Sequence, residues 1–134
     1  MSARGIRNNN PGNIMRVTGF KGETGFDADG YAVFDNAHDG IRAIARILFT
    51  YHYQDGIGTI EQIISRWAPE SAGNDTAAYI ADVCDRSGLQ RDTLAIWTRD
   101  NVAKIVTAII WHECGSCPYD ASDIAAAVND AWIQ

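Results

Sequence analysis

Beyond residue 36 the apolar residues recur at helical spacing. Ile41, Ile44, Ala45, Leu48 and Tyr51 share one face of a segment that Asp39 caps and that runs to about Gln54, before Gly56 and Gly58. Thr59 followed by Gln62 forms a capping box that opens a helix from Ile60 to about Ala68, and Pro69 stops it. Asn74 or Asp75 caps a third helix carrying Tyr79, Ile80 and Val83 and ending near Gly88. A short helical turn is expected at Asp92–Trp97. Thr98 or Asp100 then caps a helix at about 99–113 in which Thr107 is the one polar residue between Ile105 and Trp111. A helix apolar on nearly all faces belongs in the middle of a fold. The last amphipathic helix, about Ser122 to Ile133, buries Ile124, Ala127, Val128, Ala131 and Trp132.

Residues 1–37 read differently. They hold six of the twelve glycines, and Asn8-Asn9-Asn10-Pro11-Gly12-Asn13 is a turn sequence: Pro fixes φ, while Gly and Asn tolerate positive φ. This part is expected to be loop and hairpin without helix. Tyr31–Phe34 reads as a strand, with Asp29-Gly30 as the turn before it. The expectation is one mainly α (α+β) domain over residues 1–134, with a loop and β-hairpin region at 1–37 and a helical region at 38–134.

The chain carries 11 Lys+Arg against 17 Asp+Glu, a formal net charge of -6. That balance argues against a nucleic-acid binder, which shows a basic stripe or patch. It argues equally against an enzyme drawn to an anionic surface by its net charge. No apolar run reaches the roughly 18 residues of a membrane span. The two arginines near Met1 precede no apolar run, so no secretory signal is read there. Three cysteines, Cys84, Cys114 and Cys117, are too few for a disulfide framework. Cys114-x-x-Cys117 has half-site spacing for zinc, but no second pair completes it, so neither metal nor cofactor is expected.

Glu113 is the strongest candidate for chemistry. Burial beside Trp111 and the negative end of its helix both favour the protonated acid, the form that glycoside cleavage needs as proton donor. Asn9, Asn10 and Asn13 offer amides that match sugar hydroxyls, and Trp67 offers a stacking face. Tyr79 can point its hydroxyl into a cleft. Glu23 is among the acids available as a second carboxylate, and His112 adjoins the main candidate.

Arg4-Gly-Ile-Arg-Asn-Asn-Asn-Pro-Gly-Asn-Ile14 resembles the N-terminal signature of a group of bacteriophage virion and prophage proteins that includes the muralytic structural proteins of cystoviruses. The likeness continues through Phe34, Asp39-Gly-Ile-Arg-Ala43, Arg66-Trp-Ala-Pro-Glu70, Asn74-Asp-Thr76, Tyr79-Ile80, His112-Glu113 and Pro118-Tyr119. Ala108-Ile-Ile-Trp-His-Glu113-Cys-Gly115 is also similar to the helix ending in the catalytic Glu-Ser-Gly of lytic transglycosylases and bacterial glucosaminidases, with Cys114 in place of Ser. In those enzymes that helix comes first, before the Asn-rich segment and the Pro-Glu…Tyr element. The resemblance therefore implies a circularly permuted lysozyme-like fold.

It further implies cleavage of peptidoglycan glycan strands, with Glu113 as general acid/base, Tyr79 near the reaction centre, and Asn9, Asn10 and Asn13 on the sugar. Glu23, Trp67 and His112 complete the expected substrate contacts. A second carboxylate would make the enzyme a muramidase; without one it is a lytic transglycosylase. The rival expectation is a non-catalytic virion structural or adaptor protein. A third, an endopeptidase acting on peptide stems, finds no Cys-His or zinc constellation to support it. Expected partners are peptidoglycan and other virion proteins, with no nucleic acid. The expected place is the virion or host cytoplasm, with action in the periplasmic cell wall.

Overall fold

The structure is a computed structural model that describes residues 3–15, 19–92 and 97–132. It is mainly helical with one small antiparallel sheet, an α+β arrangement. In chain order come α1 (Arg4–Arg7), β1 (Glu23–Phe26), β2 (Ala32–Phe34), α2 (Ala37–Asp55), α3 (Ile60–Trp67), α4 (Thr76–Ser87), α5 (Arg99–Cys114) and α6 (Ala121–Trp132). A single 3₁₀ turn, Glu70–Ala72, links α3 to α4.

The core lies between α2, α4, α5 and α6. Ile44, Leu48, Ile105, Ile109 and Ile124 are essentially without exposure there. The apolar stripes read from the sequence supply this core, because residues three and four apart lie on one helix face. The capping box of α3 forms as expected: the Thr59 hydroxyl accepts from Gln62 N–H, and the Gln62 side chain accepts from Thr59 N–H. Asp75 caps α4 and Thr98 caps α5.

Several expectations are corrected. Asn36, not Asp39, caps α2: its side-chain oxygen accepts from Asp39 N–H, so the helix begins at Ala37 and Asp39 sits in its first turn. Asn in extended backbone just before a helix satisfies an otherwise orphaned donor, which is the same service Asp39 was expected to give. The N-terminal region does contain helix, the single turn α1, which closes because Arg7 and Asn8 N–H groups find the Ala3 and Arg4 carbonyls. Tyr31 stands outside β2 and pairs with Met15 in an isolated bridge. The Asp29-Gly30 turn is held by Asp27, whose carboxylate accepts from the Asp29 and Tyr31 N–H groups. Trp111 is 36% exposed and takes the Arg86 guanidinium over its ring at 5.0 Å, so it faces away from the core. Most of the turn expected at Asp92–Trp97, and the final Ile133, lie outside the described residues.

The segment around Asn8–Asn13 packs against both α2 and α5. A Cβ on Gly40 of α2 would lie 1.7 Å from the Asn9 carbonyl oxygen, so the loop touches bare helix backbone there. A Cβ on Gly12 would reach 2.8 Å from Ile44 and 3.2 Å from Trp67. Asn9 (φ 52°) and Asn13 (φ 49°) take the left-handed region, which Asn enters more readily than other side-chain-bearing residues.

Candidate functional site

The end of α5 meets the Asn-Pro-Gly-Asn turn, a hundred residues away in sequence. The Asn13 amide donates to Glu113 Oε1 at 3.0 Å, and the Cys114 thiol donates to the Pro11 carbonyl at 3.3 Å. From α4, the Tyr79 hydroxyl donates to Glu113 Oε2 at 2.7 Å. Each oxygen of the Glu113 carboxylate is therefore oriented by a separate element. Tyr79 is buried, and burial is the main influence pushing its phenol well above the usual range; the adjoining Glu113 charge adds to it. The phenol stays protonated and serves as a donor. Trp67, at the end of α3, exerts a smaller downward pull on the same phenol.

Glu113 opens onto a cleft of about 540 Å³. Asn13, Met15, Tyr31, Tyr51, Trp67 and Asn74 are among the residues that line it. Glu113 is the one carboxylate among the described lining residues. Arg4 lies over the Tyr31 ring at 4.2 Å and Arg66 over Tyr51 at 5.5 Å. Burial raises the Tyr51 phenol, against a downward pull from Arg66. An aromatic-walled trough with amides and one oriented carboxylate can stack sugar rings, bond their hydroxyls and exchange a proton at one point.

The structure thus joins Glu113, Tyr79, Asn13 and Trp67 at one place. Four other sequence candidates lie elsewhere. Asn10 is wholly buried: its amide donates to the Ile14 and Ala32 carbonyls at 2.9 Å each, and its oxygen accepts from Ile14 N–H at 2.9 Å. Two of these bonds close the loop on Ile14 and the third ties it to β2 at Ala32. Asn9 gives its amide to the Phe34 carbonyl at 3.1 Å. Glu23 sits in β1, away from the cleft lining, with one carboxylate oxygen enclosed and unpartnered. His112 points toward α4, where Nδ1 meets Asp82 at 2.8 Å.

Asn10→Ala is accordingly expected to cost about 3 kcal/mol of stability, since it orphans buried backbone groups. Denaturant unfolding measures it; a change below about 1 kcal/mol would contradict the pinning role.

Tyr31, Tyr51 and Asn74 went unremarked as cleft residues in the sequence. Tyr51 read as one more member of an apolar stripe. Its hydroxyl was the available signal, because a tyrosine on a buried face usually keeps one wet edge.

Among the described residues, His38, Asp39 and Asp130 form the group close enough to share a metal ion. Lys21 and Arg42 already pair with the same Asp130 oxygen at 3.8 and 3.5 Å, so cations of the protein occupy that position. Cys84, Cys114 and Cys117 are free thiols. Burial pushes Cys114 up to about 11, with the Glu113 charge adding to the effect, which makes it a poor nucleophile and metal ligand at neutral pH.

No family model matches the chain. It is 40% identical over 128 residues to "Protein P5" of Pseudoalteromonas phage PM2, a match covering 92% of this chain and 78% of that protein.

Proposed function

The chain belongs to the family of Protein P5 of Pseudoalteromonas phage PM2, and from that phage kinship and the cleft we propose that it cleaves the β-1,4 glycosidic bonds of peptidoglycan. The observation that carries this reading is the Glu113 carboxylate, oriented by Asn13 and Tyr79 in the lining of a cleft that also holds Tyr31, Tyr51 and Trp67. The lysozyme-like, permuted arrangement belongs to the same proposal. It is supported by the meeting of the Glu-bearing helix, the Asn-rich turn and the Tyr79 helix despite their altered order in the chain.

In the proposed reaction Glu113 acts as general acid and gives a proton to the glycosidic oxygen as the bond from that oxygen to the sugar's C1 breaks. The charge left at C1 is then met by the same sugar's 6-hydroxyl. Its oxygen bonds to C1 while its proton passes to the Glu113 carboxylate, which restores the acid. The product is an anhydro-sugar end. This transglycosylase outcome is favoured over hydrolysis because Glu113 is the one acid among the described cleft residues. Mass spectrometry of digested sacculi checks it: new ends should be lighter by one water than hydrolytic ends. Hydrolytic ends alone would overturn the transglycosylase form, and an absence of new glycan ends would overturn the glycosidase reading.

Tyr79→Phe removes the donor to Oε2 while keeping the ring. The expected result is a fall in kcat of about tenfold with little change in KM, since the lost bond orients the acid and does not hold the sugar. Dye-release kinetics on labelled cell walls measures both constants.

A net charge of -6 suits an enzyme delivered to the anionic wall by attachment better than one that diffuses there. The proposed setting is therefore a virion, with other virion proteins as partners. The acidic balance equally favours a second reading, a structural component without activity, which the same mass spectrometry separates from the first.

A further inference from the structure

Behind the cleft, three successive residues of α5 each meet α4. Trp111 takes the Arg86 guanidinium on its face. His112 gives Nδ1 to Asp82 at 2.8 Å and stacks on the Tyr79 ring, with centroids 3.7 Å apart and planes 30° apart. Glu113 accepts the Tyr79 hydroxyl at 2.7 Å. Tyr79 and Asp82 lie three residues apart on α4, so they share one face of that helix. Consecutive α5 residues thus grip the phenol twice, Glu113 at its polar edge and His112 across its flat face.

We propose that His112, held flat by Asp82, is a positioning residue for the Tyr79–Glu113 pair. The imidazole does not border the cleft, so it meets no substrate and acts through the phenol alone. Removing it opens space beside the Tyr79 ring, and the ring can tilt toward that space. A tilt that moves the hydroxyl by a fraction of an ångström weakens its bond to Oε2 and frees the carboxylate to turn. Asp82 matters because an imidazole on an exposed helix flank otherwise samples several rotamers. Burial alone would raise the Asp82 carboxyl, but the His112 hydrogen bond and the Arg86 charge bring it below the usual range, so it remains an anion able to accept from His112. Arg86 fixes its other oxygen at 3.0 Å.

This inference rests on the glycosidase reading for its kinetic consequence and on geometry for its structural one. The test compares His112→Ala, His112→Phe and Asp82→Asn in the whole chain. One readout is the flip rate of the Tyr79 ring, by NMR of protein labelled in tyrosine carbon. The other is kcat and KM on cell walls. With His112→Ala the ring should flip at least about tenfold faster and kcat should fall about tenfold, with KM within about twofold. His112→Phe keeps a flat face and should restore both values nearly to wild type; Asp82→Asn should fall between. An unchanged flip rate in His112→Ala overturns the proposal. So does a flip-rate change with kcat intact, which would leave His112 a packing residue only, or a His112→Phe variant as impaired as His112→Ala. If the unaltered protein releases no glycan ends, the glycosidase reading fails, and the flip rates of the three variants then decide the positioning of Tyr79 by themselves.

Discussion

Glu113→Gln is expected to lower cleavage of purified peptidoglycan by about 10³-fold, the middle of the range that a positioned proton donor contributes. Gln fills the same volume; its oxygen can still accept from Tyr79, and its NH2 can donate to Asn13 once that amide turns its unpartnered oxygen inward, so the turn, α4 and α5 should stay joined. What it cannot do is give up a proton to the glycosidic oxygen or take one back from an attacking hydroxyl. The loss should therefore appear in kcat, while binding of glycan fragments survives. Zymography and dye-release kinetics read the loss, and circular dichroism confirms that the fold is kept. Retention of more than about a tenth of the activity would remove Glu113 as the acid and with it the proposed mechanism.

Gly40→Ala is expected to be among the most destabilising single substitutions, costing about 3 kcal/mol or more. The added carbon would sit 1.7 Å from the Asn9 carbonyl oxygen, which is fixed backbone and cannot swing aside as a side-chain tip could. The loop must then lift from α2. Asn9 and Asn10 are tied to Phe34, Ala32 and Ile14, so lifting the loop strains those bonds as well. Asn13 follows, which loosens its hold on Glu113. Gly56→Ala provides the comparison: Gly56 has φ 70° and nothing within 4 Å of an added Cβ, so only the backbone preference is lost, about 1 kcal/mol. Urea titration of both variants separates contact from conformation. A Gly40 variant no weaker than the Gly56 variant would mean that the close approach carries little energy.

The helices were legible because their signals are local. The Thr59–Gln62 box, the Asp75 and Thr98 caps and the apolar stripes of α2 and α6 depend on residues within a few positions of one another. The misassigned start of α2 has the same origin. Asn36 and Asp39 are both good capping residues, and only the extended backbone at Asn36 selects between them. α5 was read as buried nearly all round, but it buries Val102, Ile105, Val106, Ala108, Ile109 and Ile110 and leaves Lys104, Trp111 and His112 exposed, with Trp111 under Arg86 of a helix that the pattern alone could not place beside it.

For the site, the sequence by itself determined the cast: an acid ending an apolar helix, a tyrosine on the next-packed helix, and a run of asparagines around a Pro-Gly turn. Residue chemistry and helix spacing suffice for that. It could not sort the asparagines, because one side-chain amide can serve a sugar, a carboxylate or a carbonyl, and the choice depends on what lies opposite. Tertiary structure sent Asn10 and Asn9 to the backbone of β2, gave Asn13 to Glu113, and turned His112 from the cleft toward Asp82. It also brought Tyr31 and Tyr51 into the lining of one cleft. Those outcomes join residues tens of positions apart, where no local periodicity reaches, and the glycines at 12 and 40 permit them by leaving room for one backbone to rest on another.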